Sequence, residues 1–500
     1  MTINATGIKL DVNEPLYIIE LGAGLGKFSF LFLNAIEKLR STLFFPFEKI
    51  IYVMTDATKS NVNAWHSHPS LKPFFESGRL DVAIFNAAED SSLWLHNAQI
   101  ILKPGSSVNP VVIIANYLFD SLCHDVFQIA GGVLYAGRVS AGSQINESAN
   151  PLNPDIISRM DNIFKFEVAE QPYYHLSEEG DESLWQGMLN WYVEYYGSRG
   201  QNATILFPVG ALKALQRLSA LSSNGAVVIT ADKGSGHVGS FLGLQDPTVA
   251  VDGSLSVMVN YHALSLWVNT TGGLSFVDPH EFTNLIACVF VLKPEAAEGG
   301  RDTSLNRSVS IHEPVAASEA YSKQYPYLLE AFYDHLVSFS PSDYRKLIAL
   351  QQQRGAPPNS STSILTTIAL LRALEWDPEV FAVLSQSLLE SLQYATTDLH
   401  AIIAEGLQLL WQNFFVTNSN TEIISEIGRI YGQMSLFKDA ATFYERYLLY
   451  HPTNAVGLTN LGMCLYRLGY KKAAEDKFKL ALYYRPHFEL AIELLNKTLN

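Results

Sequence analysis

Cysteine is scarce in this chain. Three residues in 500, Cys123, Cys288 and Cys464, lie far apart and show no CxxC spacing. That excludes a disulfide framework and points to a reducing compartment. Basic residues are short as well: 34 Lys and Arg face 49 Asp and Glu, a net charge of −15. Binding to nucleic acid calls for the opposite balance. No apolar run approaches the ~18 residues that a membrane-spanning helix needs. The polar opening Met1–Pro15 lacks the apolar centre of a secretory signal. A cytoplasmic setting is expected, and the Asn-x-Ser/Thr matches at Asn146, Asn202, Asn269 and Asn306 read as chance. The 13 histidines are scattered, and the closest pair, His66 and His68, has no Cys or carboxylate cluster beside it. No metal site is expected. Neither a G-x-S-x-G elbow nor a G-x-x-x-x-G-K-[ST] loop is present, which removes the common hydrolase and P-loop readings. Ser235 and His237 read as part of a loop, and His262 as a packed core residue.

What the chain does have is the stretch Leu16–Lys27, LYIIELGAGLGK. Leu16–Ile19 is a short continuous apolar run, as suits a strand buried on both faces of a parallel sheet. Gly22, Gly24 and Gly26 allow a sharp turn and close approach of a ligand to the backbone. Phe28, Leu31, Phe32, Ala35, Ile36 and Leu39 then recur at helical spacing. Further strands are expected at Ile50–Asp56, Leu80–Phe85, Val111–Ile114 and Ala226–Thr230, with a helix over Ser60–His66. Strands alternating with helices predict an α/β doubly wound, Rossmann-like domain. Ligands in such sheets sit beyond the carboxyl ends of the strands. The residues at those ends, Glu20, Asp56, Asn86, Ala87, Glu89, Asn116, Asp120 and Asp232, therefore form one candidate site.

Between the fourth and fifth strands lie roughly 110 residues, too many for a simple crossover. They hold a hairpin-like piece around Gly131 and Gly132 and an aromatic helical stretch over Leu184–Tyr196. An inserted substrate-side subdomain, about 121–222, is expected inside a first domain of residues 1–293. Residues 294–322 are rich in Gly, Pro and Ser and read as a linker. An all-α helical-repeat domain follows. Its first part, 323–420, has helical segments at Tyr327–Phe339, Tyr344–Gln352, Ile364–Leu374, Glu379–Ala395 and Leu399–Phe415, with a break at Gly355–Pro358. Its second part, 421–500, repeats with a period of 34: Gly428 with Gly462, Ala440 with Ala474, Pro452 with Pro486, and Tyr444 with Phe478. This is the tetratricopeptide (TPR) spacing, with small residues where two helices cross and Pro ending the second. About three repeats are needed for stability, so 385–420 is expected to stack as a degenerate preceding pair, and Glu489–Leu499 to cap the array.

A dinucleotide fingerprint needs G-x-G-x-x-G, whereas this loop reads G-x-G-x-G with Lys27 in the place of that third Gly. The E-x-G-x-G-x-G form, with Asp56 ending the next strand, resembles motif I and its partner acid in class I S-adenosylmethionine methyltransferases. S-adenosyl-L-methionine carries no phosphate, but has a charged methionine tail and a ribose diol. Gly22 and Gly24 would admit the tail beside the backbone, Gly26 belongs to the same cofactor-binding loop, and Asp56 could accept both ribose hydroxyls. The resemblance implies that Glu20 lies near the ammonium end, that Asn86, Ala87 and Glu89 lie by the adenine, and that Asn116 borders the cofactor. IIANYLFDSL over 113–122, Phe127, GVLY over 132–135 and ADKG over 231–234 resemble segments of the MidA-type methyltransferases. That family includes complex I assembly factors that methylate a protein arginine, and the likeness covers about residues 15–292. It implies Asn116 and Asp120 as catalytic residues. Where that family has Glu after the Asn, this chain has Tyr117, so arginine specificity is not carried over; Asp120 or Asp125 is the available acid. The plainer reading of Asn116 and Asp120 is that they cap a following helix. The resulting expectation is a methyltransferase acting on a protein or peptide side chain recruited by the TPR groove, without nucleic acid, membrane or metal. The alternative is a Rossmann domain without turnover that serves as an interaction scaffold.

Overall fold

The computed structural model describes residues 10–143, 145–147, 155–174, 182–251, 255–278, 285–292 and 361–499. They fall into two compact units, one ending at Leu292 and one beginning at Ser361. The expected linker, the helices at Tyr327–Phe339 and Tyr344–Gln352, and the break at Gly355–Pro358 lie outside the described residues. Among those that are described, no helix is long and apolar enough to cross a membrane.

In chain order the first unit contains β1 (Leu16–Leu21), α1 (Lys27–Lys38), β2 (Ile50–Asp56), α2 (Lys59–Ser67), β3 (Leu80–Ile84) and β4 (Val111–Asn116). There follow β5 (Asp125–Ala130), β6 (Val133–Ser143), β7 (Met160–Val168), α3 (Glu182–Ser198), β8 (Ala203–Phe207) and α4 (Val209–Ser219). The unit closes with β9 (Ala226–Ser235), α5 (Tyr261–Thr270), β10 (Leu274–Val277) and β11 (Leu285–Leu292). The main sheet runs β3-β2-β1-β4-β9-β11-β10. β1 to β4 and β9 are parallel, and β11 lies antiparallel to β9 and β10. The chain leaves β1 toward β2 and β3 on one side and later returns to β4 on the other, which creates a topological switch point beside β1. Ile19, Val53, Ile113 and Val228 are wholly buried, as their unbroken apolar runs require of strands covered on both faces. An antiparallel strand between the fifth parallel strand and the last distinguishes this order from the 3-2-1-4-5-6 of dinucleotide-binding folds.

The structure extends and corrects several expectations. β9 continues five residues past Thr230, because β11 carries the ladder on through Asp232↔Ile286 and Lys233↔Leu285. The expected hairpin is β5–β6, turned by Gly131 and Gly132 at φ +58° and +78°, a two-residue turn that needs left-handed backbone at both positions. Within the insertion, β8, β5, β6 and β7 form a four-stranded antiparallel sheet, with α3 burying Trp185, Tyr192 and Tyr196. No helix follows β4. A single 3-10 turn, Phe119–Ser121, leads into β5, so Asn116 and Asp120 are not helix caps.

The second unit is all helical: α6 (Ser361–Ala373), α7 (Pro378–Ser391), α8 (Thr397–Gln412), α9 (Glu422–Gln433), α10 (Phe437–Tyr450), α11 (Ala455–Arg467), α12 (Lys471–Tyr484) and α13 (Glu489–Leu499). Side-chain caps start several of them: Asp377 accepts from the Glu379 and Val380 amides, and Asn454 from Gly457. α10 and α12 begin and end at positions 34 apart. A Cβ on Gly462 would come within 2.6 Å of the Phe478 ring, and one on Gly428 within 3.2 Å of Tyr444. Those glycines are where the helices of each pair meet. Over 385–420, where a degenerate pair is expected, lie the second half of α7 and the whole of α8, separated at Leu392–Thr396, and α7 packs chiefly on α6 and α9.

Candidate functional site

The carboxyl edge of the main sheet carries the candidate site, and its first half is the loop after β1. Gly22, Gly24 and Gly26 all have left-handed backbone, φ +64°, +54° and +85°, which costs a side-chain-bearing residue roughly 1–2 kcal/mol. The loop is held from beneath. The Ala23 amide donates to the Thr55 carbonyl at 2.9 Å, and the Trp65 indole N–H donates to the Gly24 carbonyl at 2.8 Å. The three glycines serve different ends. A Cβ on Gly26 would press on Met54 Cε at 2.7 Å, so this buried residue lets α1 pack on β2. A Cβ on Gly24 would meet nothing nearer than 3.9 Å. Gly22 is exposed, with Leu118 beneath it. Gly24 is therefore the open floor of the loop, whereas a Cβ on Gly22 would crowd Leu118 at 3.2 Å.

The two acids expected to face a cofactor are both built into the fold. Glu20 is 4% exposed and its Oε2 accepts from Ser29 Oγ and, at 2.8 Å, from Tyr52 OH. Burial raises its pKa, against the lowering effect of those two hydrogen bonds. Its carboxylate joins β1, β2 and α1 beneath the loop. Asp56, at the end of β2, touches the loop itself. Its Oδ2 accepts from the Gly24 amide at 3.2 Å and from Asn61 Nδ2 at 3.0 Å, and Oδ1 accepts from the Thr58 amide at 2.7 Å. A carboxylate has about four acceptor positions, so one remains, and the long bond to Gly24 is the weakest to exchange. At the end of β3, Asn86 Oδ1 accepts from the Ala88 amide, Ala87 is buried in the core, and Glu89 is exposed. Arg217 of α4 donates to the Ala88 carbonyl and fixes this turn.

The other half of the edge, after β4 and β9, is more strained. Asn116 is half-buried at the end of β4, paired with Ala231. Tyr117 follows at φ +51°, an outlier for a bulky residue. Asp120 is 8% exposed, and its amide donates to Asp232 Oδ2 at 3.0 Å. Asp232 has no exposed surface, and its Oδ1 also accepts from its neighbour Lys233. Burial is the main cause of its carboxyl rising from 3.8 to about 6. Asp125 is engaged elsewhere, accepting from Tyr174 OH at 2.7 Å. His262 is the core residue the sequence suggests: it is 2% exposed, Tyr192 OH meets its Nδ1 at 2.7 Å, and burial pulls its pKa down to about 3, so it is neutral.

No protein-family model and no curated relative matches the chain. Among solved structures, one similar chain is described as an expected methyl transferase from Burkholderia thailandensis bound to S-adenosyl-homocysteine. It is 11% identical, with a TM-score of 0.32, over 59% of this chain and 74% of that one. A likeness at that level carries no argument, and the fold stands on the strand order given above. The edge brings together Gly22, Gly24, Asp56 and, across the switch point, Asn116. Glu20, Gly26 and Ala87 sit behind that surface. Trp65 and Leu118 are not singled out as site residues by the sequence. Asp232, expected at the site as an acid ending a strand, lies buried behind it and holds the Asp120 amide.

Proposed function

We propose that this chain is an S-adenosylmethionine-dependent methyltransferase, acting on a protein or peptide side chain that its helical-repeat unit recruits. The observation that carries the reading is the contact between loop and acid: left-handed Gly24, open above, donates its amide to Asp56 at the end of the next strand. The residues present fit the cofactor. Gly24 leaves a floor that a Cβ would fill, and the remaining acceptor position of Asp56 suits a ribose hydroxyl. The cofactor would supply an electrophilic methyl group on a positively charged sulfur. The protein's share in such a displacement is orientation and exclusion of water. Glu20, tied to Ser29 and Tyr52, keeps the loop in register. Asn116 is the half-buried polar side chain across the switch point that could orient an acceptor. The antiparallel sheet inserted after β4 supports a substrate-side role for that segment. For the helical unit, stacked helix pairs provide a peptide-sized groove.

Calorimetric titration of the full chain tests the cofactor. S-adenosylmethionine should bind and NADH should not, and Gly24→Arg, whose side chain would fill the open floor, should weaken binding at least 100-fold. Binding of NADH alone would overturn the reading. Transfer of a radiolabelled methyl group to lysate proteins, absent with Gly24→Arg, separates turnover from a scaffold.

A further inference from the structure

The site edge carries one aromatic side chain that the fold does not use. Tyr117 is held left-handed at φ +51° although a bulky residue resists that conformation. Its neighbours enforce the geometry. The Tyr117 amide donates to the Ala231 carbonyl at 2.9 Å, Leu118 sits beneath Gly22, Phe119 is wholly buried, and Asp232 accepts from the Asp120 amide. The residue that results is 54% exposed. Among the described residues it has no ring contact and no side-chain hydrogen bond. Strain kept where it gains the fold no contact is a mark of a ligand site.

We propose that Tyr117 reads the charge on the cofactor's sulfur, favouring S-adenosylmethionine over the neutral product S-adenosylhomocysteine. This rests on the cofactor reading above. A sulfonium has three substituents. That reading puts the amino-acid tail at the loop after β1 and the ribose at Asp56 after β2. β1 has one other neighbour, β4, so the methyl group opens toward the edge where Tyr117 stands. An aromatic face attracts a cation through its quadrupole and offers a neutral thioether no such gain. In the transfer the acceptor's lone pair forms the new bond to carbon, and the carbon–sulfur pair stays on sulfur. The attraction to the ring is lost at that moment, which favours discharge of the product.

The test measures Kd for both ligands by calorimetry on the full chain, in the wild type, Tyr117→Phe and Tyr117→Asn. Asn tolerates left-handed backbone, so that variant should fold with an equal or higher Tm. The wild type should prefer the sulfonium, and Tyr117→Phe should keep the preference. Tyr117→Asn should lower the ratio of the two Kd values by about 2- to 30-fold. An unchanged ratio in Tyr117→Asn, with both ligands still bound, would overturn the proposal while leaving the cofactor reading intact. A wild type that binds neither ligand would overturn both.

Discussion

Glycine does opposite things in the two units. In the first, Gly22 and Gly24 have left-handed backbone and face outward, and a Cβ on Gly24 would touch nothing within 3.9 Å. In the second, Gly406 and Gly462 lie inside helices, and a Cβ on either would run into a ring, Trp376 or Phe478. An open glycine in a strained turn leaves room for something from outside the chain; a closed one in a helix leaves room for a side chain from within it. The units also differ in what they bury. Among the described residues, Glu20, Asp56, Asp81, Asp120, Asp232 and Asp278 are buried in the first unit, whereas the buried polar residues of the second are hydroxyls: Thr367, Ser385, Ser391, Thr421 and Thr459. One unit is built around charge and open backbone, the other around packing.

The sharpest way to break that contrast is Gly406→Ala. The new methyl group would overlap the Trp376 ring directly, and forced overpacking costs up to about 3 kcal/mol. The expected result is faster hydrogen exchange across α8 of the full chain, with S-adenosylmethionine affinity unchanged. A loss of affinity of equal size would show that the two units are not energetically separate. The counterpart in the first unit is Gly24→Ala, which meets no clash. Its cost is conformational, about 1–2 kcal/mol, read as a fall in urea midpoint, and it comes with weaker ligand binding because the methyl group lies over the open floor.

That difference also explains what was legible in the sequence. The first four parallel strands and the loop after β1 were readable because buried parallel strands are continuous apolar runs that end in turns or acids. The 34-residue period was readable because Gly428 and Gly462 recur in register. β7, β10 and β11 were not anticipated. β7 (MDNIFKFEV) breaks the polar–apolar alternation at Asp161–Asn162 and Ile163–Phe164 on a largely exposed sheet, and β11 gains its place by pairing antiparallel with β9, a contact distant in sequence. At the site, the glycines and Asp56 were legible as a motif. That Glu20 and Gly26 face inward was not, because their partners Tyr52 and Met54 come from a neighbouring strand. Tyr117 was visible as a departure from a family pattern, while its left-handed backbone is set by the turn that Asp232 holds from 112 residues away.

The buried acids give the first unit a pH dependence of its own. Asp232 has its carboxyl raised from 3.8 to about 6, so the folded state holds that proton more tightly than the unfolded chain does. Its contribution is therefore most favourable below about pH 4, declines as pH rises through about 6, and is flat above. Asp232→Asn cannot ionise. It carries a constant loss, since its single side-chain oxygen cannot serve both the Asp120 and the Lys233 amides. Relative to the wild type its urea midpoint should climb between pH 4 and 6 and then run parallel. A difference that stays level across that window would show that Asp232 is charged throughout.

The smallest effect belongs to the closed glycine with the most room. At Gly428 a Cβ would meet Tyr444 Cε1 at 3.2 Å, whereas at Gly462 the Phe478 ring is at 2.6 Å. Replacing a helical glycine by alanine gains about 1 kcal/mol from backbone entropy alone. At Gly462 the crowding should exceed that gain, and Gly462→Ala should lower Tm. Tyr444, by contrast, has to move only a few tenths of an ångström for Gly428→Ala, so the two terms should nearly cancel and leave Tm within about 2 °C of the wild type. Equal losses at both positions would mean that the helix pairs cannot yield at all, and that the closed glycines of the second unit are fixed as rigidly as the left-handed ones of the first.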